Sequence, residues 1–401
     1  MREGSLEAPT RHPIDWTNPD FIDTAKLDAE MRRQFDVCHG CRRCFNLCDS
    51  FPRLFDLVDA AGDAELHGVK SDDFKSVVDA CTLCDMCYLT KCPYVPPHEF
   101  NIDFPHLMLR YRAAERARHG ADFWDTQLTE TDRNGKLAGL APGLANWASK
   151  RGNGLTRPLL ESVAGVDARV ELPKFSGRTF VDRAQSSAPR DAAAPAKARK
   201  AVIFATCFAN YNTPELGMAA LNVLAKNGVD VVVAYPGCCG MPQLEQGDIA
   251  RVAAQAKTVA QALKPFIDEG RDVIAPVPSC GLMLKFEWPL IAPDDADVKR
   301  LAQNTFDICE YVVDIAKKEG LAPGLKPVDG GVALHLACHA RAQNMGPKGA
   351  EMLRLIPETQ VAVIERCSGH GGSWGIKKGN FDVATKFAKQ TVDRAAQANK
   401  A

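Results

Sequence analysis

The chain has 401 residues, is 46% hydrophobic and 25% charged, and carries a formal net charge of −1. This balance suits two or three globular domains and supplies no basic excess for binding nucleic acid. Its 15 cysteines are the departure from an ordinary composition. The opening MREGSLEAPTRHPIDW has no apolar signal core, which predicts a cytoplasmic protein whose grouped thiols bind metal rather than pair as disulfides. No run of about 18 apolar residues is present, so the sequence predicts no transmembrane segment, and membrane contact would be peripheral, at the inner face.

Residues 1–30 read as a polar, proline-punctuated arm, and residues 31–165 as a helical domain. Cys38, Cys41, Cys44 and Cys48 form C-x2-C-x2-C-x3-C. Cys81, Cys84, Cys87 and Cys92 form C-x2-C-x2-C-x4-C, followed by Pro93. Triplets at this spacing wrap one face of a cubane, and in two-cluster ferredoxins the fourth thiolate comes from the opposite motif. That predicts one [4Fe–4S] cluster on Cys38, Cys41, Cys44 and Cys92, and another on Cys81, Cys84, Cys87 and Cys48. Zinc is the competing reading, but it takes four ligands, usually in two C-x2-C pairs. The 32 residues between Cys48 and Cys81 exceed what a compact ferredoxin needs. Leu66, Val69, Phe74, Val77 and Val78 predict a helix within residues 63–80. PHLMLRYRAAERARHG (105–120) has the composition of an interfacial helix, though a solvated helix packing on the ferredoxin-like domain is the favoured reading.

Residues 166–200 read as a linker, most clearly in the Ala/Pro/Ser/Lys-rich stretch 184–200. The texture then changes to βαβ alternation. AVIFATC (201–207), VDVVVAY (229–235) and DVIAPV (272–277) suit buried parallel strands, separated by helical segments Glu215–Lys226 and Arg251–Glu269. Cys207, Cys238, Cys239 and Cys280 all fall just past a strand's C-terminal end, where open α/β sheets place their ligands. They are candidates for a third [4Fe–4S] cluster.

GVALHLAC (331–338) and VAVIERC (361–367), with a helix from about Lys348 to Leu355, repeat the layout at a period of about 130 residues. The predicted repeats are 201–300 and 301–401. In the second, Cys367–Ser368–Gly369 replaces Cys–Cys–Gly, and a counterpart of Cys280 would fall near position 408, so either the chain is truncated or this half has lost a metal site. Cys338 and Cys367, with His339, His370 and the nearby His335, are candidates for a weaker site with a metal-ligating, proton-handling or plain structural role. Cys309, in TFDICEYVVDIAKK, reads as core. GHGGSWG (369–375) is not a dinucleotide fingerprint.

Two C-x2-C-x2-C triplets followed by two α/β repeats, with YPGCCGM at Tyr235–Met241, resemble the CCG-domain iron–sulfur oxidoreductases. That family includes the C subunit of anaerobic glycerol-3-phosphate dehydrogenase, the glycolate oxidase iron–sulfur subunit and the B/D subunits of heterodisulfide reductase. The resemblance implies an α+β multidomain fold, with a helical dicluster ferredoxin domain followed by two cysteine-rich repeats. It also implies an electron-transfer subunit that relays electrons between a flavin or other dehydrogenase partner and a quinone or other acceptor. A thiol/disulfide reductase at the CCG site is a second reading. Electron donation to a soluble iron oxidase or peroxidase in stress defence is a third. In the heterodisulfide reductase branch five cysteines hold a non-cubane cluster. Here Val277 stands in place of one of them, leaving four.

Overall fold

The structure is a computed structural model that describes residues 4–5, 7–62, 65–186 and 190–398. Two compact units are formed. One comprises the described residues up to Thr126 together with Pro242–Arg251, and the other comprises Gln127–Met241 and the described residues from Val252 onward.

The first unit is helical. Helix α1 (Thr24–Cys41) starts where the Asp23 carboxylate accepts the Lys26 N–H, satisfying an otherwise orphaned donor. Its buried residues Leu27, Met31 and Phe35 belong to the same apolar core as those of α2 (Ser50–Asp59), α3 (Phe74–Asp79) and α4 (Phe104–His119). Phe35 meets Phe74 edge-on at 5.1 Å, and Phe51 lies 4.5 Å from Phe104. The segment predicted as one helix over 63–80 becomes two 3₁₀ turns, at Leu66–Gly68 and Ser71–Asp73, followed by α3. Asp63 and Ala64 lie outside the described residues. All five of its predicted apolar positions are still buried, so the core face was read correctly although the helix is broken. Helix α4 buries Leu107, Met108 and Leu109, which makes it a core helix rather than an interfacial one. Arg116 on α4 pairs with Asp248 at 2.6 Å, and Arg112 donates to the Glu245 carbonyl at 3.0 Å. These contacts tie Pro242–Arg251 to the unit.

The N-terminal arm is held by backbone bonds from Ser5 to Pro93 and from Thr10 to Pro96, and by one guanidinium. Arg11 donates Nε to Asp103 at 2.9 Å and both Nη atoms to Asp85, at 2.9 and 2.8 Å. It also lies over the Tyr88 ring at 4.3 Å.

Helix α5 (Phe123–Thr129) leads to α6 (Thr131–Leu140), α7 (Pro142–Ser149) and α8 (Thr156–Ala164). Helix α7 buries none of its residues. Leu140, Leu144, Trp147, Leu155 and Leu159 are all more than half exposed, Leu140 at 83%. Helix α9 (Phe180–Ala184), opened by a Thr179–Asp182 capping box, falls inside the stretch that reads as linker. Its Phe180 is fully buried in the core of the α/β unit.

The chain continues through β1 (Lys200–Phe204), α10 (Cys207–Tyr211), α11 (Pro214–Lys226), β2 (Asp230–Ala234), α12 (Met241–Glu245), α13 (Ile249–Asp268), β3 (Asp272–Ala275) and α14 (Pro278–Leu282). After α15 (Trp288–Ile291) and α16 (Ala296–Gln303) come β4 (Thr305–Asp307) and α17 (Ile308–Lys318). The sheet order is β2-β1-β3-β4, all parallel, with Ile203 opposite Val233 on one side and Ile274 on the other. β1 is buried except for its first residue, whereas the edge strand β2 is half-exposed. The TFDICEYVVDIAKK segment is therefore a strand and a helix, split at the Asp307 cap. The first sheet takes its fourth strand from beyond residue 300.

A second sheet contains β5 (Val332–His335) and β6 (Val361–Ile364), parallel and in register from Val332–Val361 to His335–Ile364. It is accompanied by α18 (Cys338–Ala342), α19 (Lys348–Leu353) and α20 (Phe381–Ala398). Among the described residues no helix is long and apolar enough to cross a membrane.

Candidate metal centres

Backbone strain marks the cysteine motifs of the first unit. Six described non-glycine residues have positive φ, and three of them, Arg42, Leu83 and Asp85, sit between motif cysteines. Such conformations persist only where the surroundings fix them, and they gather at functional sites. Arg42 ends α1 in the left-handed region and returns its N–H to the Cys38 carbonyl at 2.8 Å. The chain thereby turns between Cys41 and Cys44.

Cys38, Cys41, Cys44 and Cys92 line a single cavity, together with Phe51, Tyr94 and Ile102. Burial, followed by the neighbouring thiols of Cys92, Cys44 and Cys41, pushes the Cys38 thiol well up. Burial likewise raises Cys92 to about 11, against N–H groups of Tyr94 and Val95 directed at its sulfur. A second set forms around Cys48, which burial and then Cys84 and Cys81 raise, while the N–H groups of Ser50 and Phe51 at the start of α2 oppose the rise. Cys87 is raised by burial and then by Cys84, Cys81, Cys48 and Cys44. Cys81 rises to about 11 by burial, opposed by Arg112. The Arg112 guanidinium donates to the carbonyls of Val78 and Cys81.

The second motif has one more residue than the first in its last gap, and a π-helical turn at Cys87–Lys91 absorbs it. The Cys92 N–H reaches back five residues to the Cys87 carbonyl at 2.9 Å. Wide turns of this kind recur at functional sites.

In the α/β unit, four thiols meet beyond the C-terminal ends of β1, β2 and β3. Cys207 and Cys238 sulfurs are 3.8 Å apart. Cys239 bonds to Cys238 and Cys280, and Cys280 also faces Cys207. The Cys238 thiol is drawn down: the thiols of Cys207 and Cys239 bond to it, and the Gly240 N–H donates to its sulfur at 3.5 Å. Gly240 has φ 84°, and a Cβ there would lie 3.3 Å from Val252. Val277, in the place of the absent fifth cysteine, caps α14 and accepts the Cys280 N–H at 3.0 Å.

Three further residues hold this site. The Asp132 carboxylate on α6 accepts the Tyr235 hydroxyl, and it accepts the Cys238 N–H at 3.1 Å. Burial raises its pKa, with Tyr235 and the Cys238 amide pulling the other way. Thr131 is turned toward the sulfurs of Cys207 and Cys238, with its hydroxyl buried. The fully buried Trp288 donates Nε1–H to the Cys239 carbonyl at 3.0 Å. No local pattern announces Asp132, because it acts on Cys238 from 106 positions upstream.

The second sheet reproduces part of this geometry. Cys207 and Cys338 each open a short helix after a residue at φ −58°. The Gly369 N–H donates to the Cys367 sulfur at 3.3 Å, as Gly240 does to Cys238. The Cys338 thiol bonds to Cys367 and draws it down to about 6, against burial and aided by Gly369. The histidines are dispersed. His339 Nδ1 is hydrogen-bonded to Ser279 Oγ at 2.8 Å, and His335 Nε2 to the Arg366 carbonyl at 2.8 Å, while burial lowers His370. Cys309, on α17, is pushed to about 12 by burial and by Asp307.

The donor chemistry fits a metal–sulfur group. Thiols gathered in dry pockets keep their protons until cations replace them, and N–H groups aimed at sulfur favour the ligating thiolate. Among the described residues no group of three or more His, Cys, Asp or Glu side chains is placed to hold a single metal ion. Replacing Asp132 by asparagine removes an acceptor and sets an amide against the Cys238 N–H. Any iron held by Cys207, Cys238, Cys239 and Cys280 is then expected to pass to a chelator about ten times faster. Iron release followed against the parent chain checks this, and equal rates would exclude the role.

A parallel sheet with four thiols at its C-terminal edge defines an α/β cysteine-rich domain, and residues 201–285 match the family model described as CCG, cysteine-rich domain. The chain belongs to the family of CCG cysteine-rich proteins represented by the relatives that follow. It is 30% identical over 194 residues to lactate utilization protein A of Geobacillus kaustophilus, covering 45% of this chain and 76% of that one. It is 29% identical over 260 residues to the C subunit of anaerobic glycerol-3-phosphate dehydrogenase of Escherichia coli. That match takes in 64% of this chain and spans 64% of the length of the relative. The chain is also 29% identical over 202 residues to the B subunit of fumarate reductase (CoM/CoB) of Methanothermobacter marburgensis, covering 49% of this chain and 37% of the relative. No solved structure matches.

Proposed function

We propose that the chain is an iron–sulfur electron-transfer subunit, with two [4Fe–4S] clusters in the first unit and a third on Cys207, Cys238, Cys239 and Cys280. The observation that carries this reading is the crossed grouping of the eight N-terminal thiols: each triplet is completed by the last cysteine of the other motif. A [4Fe–4S] cluster takes up and returns single electrons. The protein's residues supply the thiolates, the N–H groups that face them and the apolar walls that keep water away. The Cys44 thiol adds to the rise at Cys87, so the two N-terminal sets are near enough to act on each other, which suits a relay.

Similarity to one dehydrogenase subunit and one reductase subunit supports a redox partner such as a flavin dehydrogenase, with a quinone or another carrier as acceptor. The exposed apolar residues of α6–α8, beside exposed Lys150 and Arg151, support docking to such a partner or peripherally to a membrane. We place the chain on the cytoplasmic side.

Anaerobically purified protein is expected to hold about twelve irons with matching sulfide. Cys239→Ala should remove about four of them and stop transfer from reduced protein to a soluble quinone, while the N-terminal clusters still reduce with dithionite. About eight irons in the parent would overturn the third cluster. A parent that holds twelve irons yet reduces no quinone or redox protein would overturn the relay.

A further inference from the structure

The pair Cys338 and Cys367 has two thiols in first-site geometry without the other two. The counterpart of Cys239 is Ser368, and among the described residues the second sheet has two strands. His339, adjacent in sequence to Cys338, is bonded to Ser279 on α14.

Two thiols so placed have a chemistry of their own. His335 and Ile364 are paired across the parallel strands, and each cysteine follows three residues later. The pairing extends one step further, with the Leu336 N–H donating to the Ile364 carbonyl at 3.1 Å. Adjacent strands lie about 4.8 Å apart, within the roughly 4.4–6.8 Å between Cα atoms that a disulfide accepts. The thiols already bond to each other. Neither residue is fully buried, so a small molecule has access.

We propose that Cys338 and Cys367 form a thiol–disulfide exchange site that is oxidised by small organic disulfides and holds no metal. The Cys367 sulfur attacks one sulfur of R–S–S–R, forming a mixed disulfide and expelling RS⁻. The Cys338 thiol then attacks Cys367, closing the intramolecular disulfide and expelling the second RS⁻. The two thiol protons go to the two leaving groups. Overall, protein dithiol plus RSSR becomes protein disulfide plus two RSH, with two electrons passing from the cysteine pair to the small disulfide. Cys367 is the attacking sulfur because the Gly369 N–H, 3.3 Å from it, stabilises its thiolate.

The test uses the full chain, anaerobically purified with its iron and incubated with oxidised glutathione. Free thiols are then alkylated under denaturing conditions, and the chain is digested without reductant. The expected result is loss of two alkylatable thiols and a cross-linked peptide joining Cys338 to Cys367, with iron per chain unchanged. Cys338→Ser should stop at one glutathione adduct on Cys367, and this trapped intermediate does not depend on the disulfide's stability. Alkylation of both cysteines after treatment would overturn the proposal. So would loss of about four irons in Cys338→Ser and Cys367→Ser, because the pair would then be metal ligands. Neither result alters the count expected for the other twelve cysteines that hold iron in the proposed relay.

Discussion

Cys48→Ala and Cys81→Ala are each expected to cost about four irons per chain, and together no more than about four. The pair is non-additive because the two thiols belong to one set, although they come from different motifs. Removing either dismantles the same group. Cys48 lies among Cys81, Cys84 and Cys87, while the cavity of Cys38, Cys41 and Cys44 is closed by Cys92. The contrasting pair is Cys38→Ala with Cys48→Ala. These cysteines lie on one motif but in two sets, so their losses should add to about eight irons. Iron and acid-labile sulfide on the three single and two double variants decide the matter. If the 48/81 double loses eight and the 38/48 double loses four, each motif holds its own cluster and the crossing is wrong.

Arg11→Ala is expected to destabilise the first unit by about 3–5 kcal/mol, the usual cost of stripping one partner from a buried ion network. Arg11 bridges two carboxylates, Asp85 and Asp103, whose side chains are only 5% and 19% exposed. Without it the two carboxylates lose their shared guanidinium, while His106 Nδ1 stays 3.2 Å from Asp103. Burial alone would raise the Asp103 pKa, yet Arg11 and His106 outweigh it and hold the carboxyl well below its ordinary range. A depressed carboxylate contributes stability above its unfolded pKa, near 4, and loses it as pH falls through the folded value. The acid edge, read as bleaching of cluster absorbance, should therefore move to higher pH in Arg11→Ala. Arg11→Lys keeps the charge but not the fork that serves both carboxylates, and should fall between parent and alanine. Thermal midpoints at neutral pH check the order, and a midpoint for Arg11→Ala equal to the parent's would sink the argument.

The legible parts of this molecule were those where chemistry is local. The strand runs end at the cysteines, because a continuous β-branched run followed by glycine and cysteine can be read over a few residues. The α/β layout with parallel sheets followed from those runs. What escaped was carried by long-range packing. The stretch 184–200 has linker composition, yet Ala194 and Ala196 are buried, and the Ala196 N–H donates to the Asn227 carbonyl at 2.9 Å. Small apolar residues give no periodic signal, so their burial is invisible before the neighbouring helix is placed. Phe180 and the Asp132–Cys238 contact were hidden in the same way. The extra residue before Cys92 showed as an irregularity, but only the backbone reveals the turn that takes it up.

The Arg11 clamp also bears on the order in which the molecule is made. Arg11 leaves the ribosome 74 residues ahead of Asp85 and 92 ahead of Asp103, which at about 5–20 residues per second is a delay of several seconds. The clamp therefore cannot be complete until Asp103 has been made. Asp85 lies between Cys84 and Cys87, so the second motif remains unlatched until the arm folds back over it. During that interval the loop around Asp85 lacks its clamp. Cargo fused ahead of Arg11 would load the latch itself, whereas cargo fused after α20 would leave it free to close.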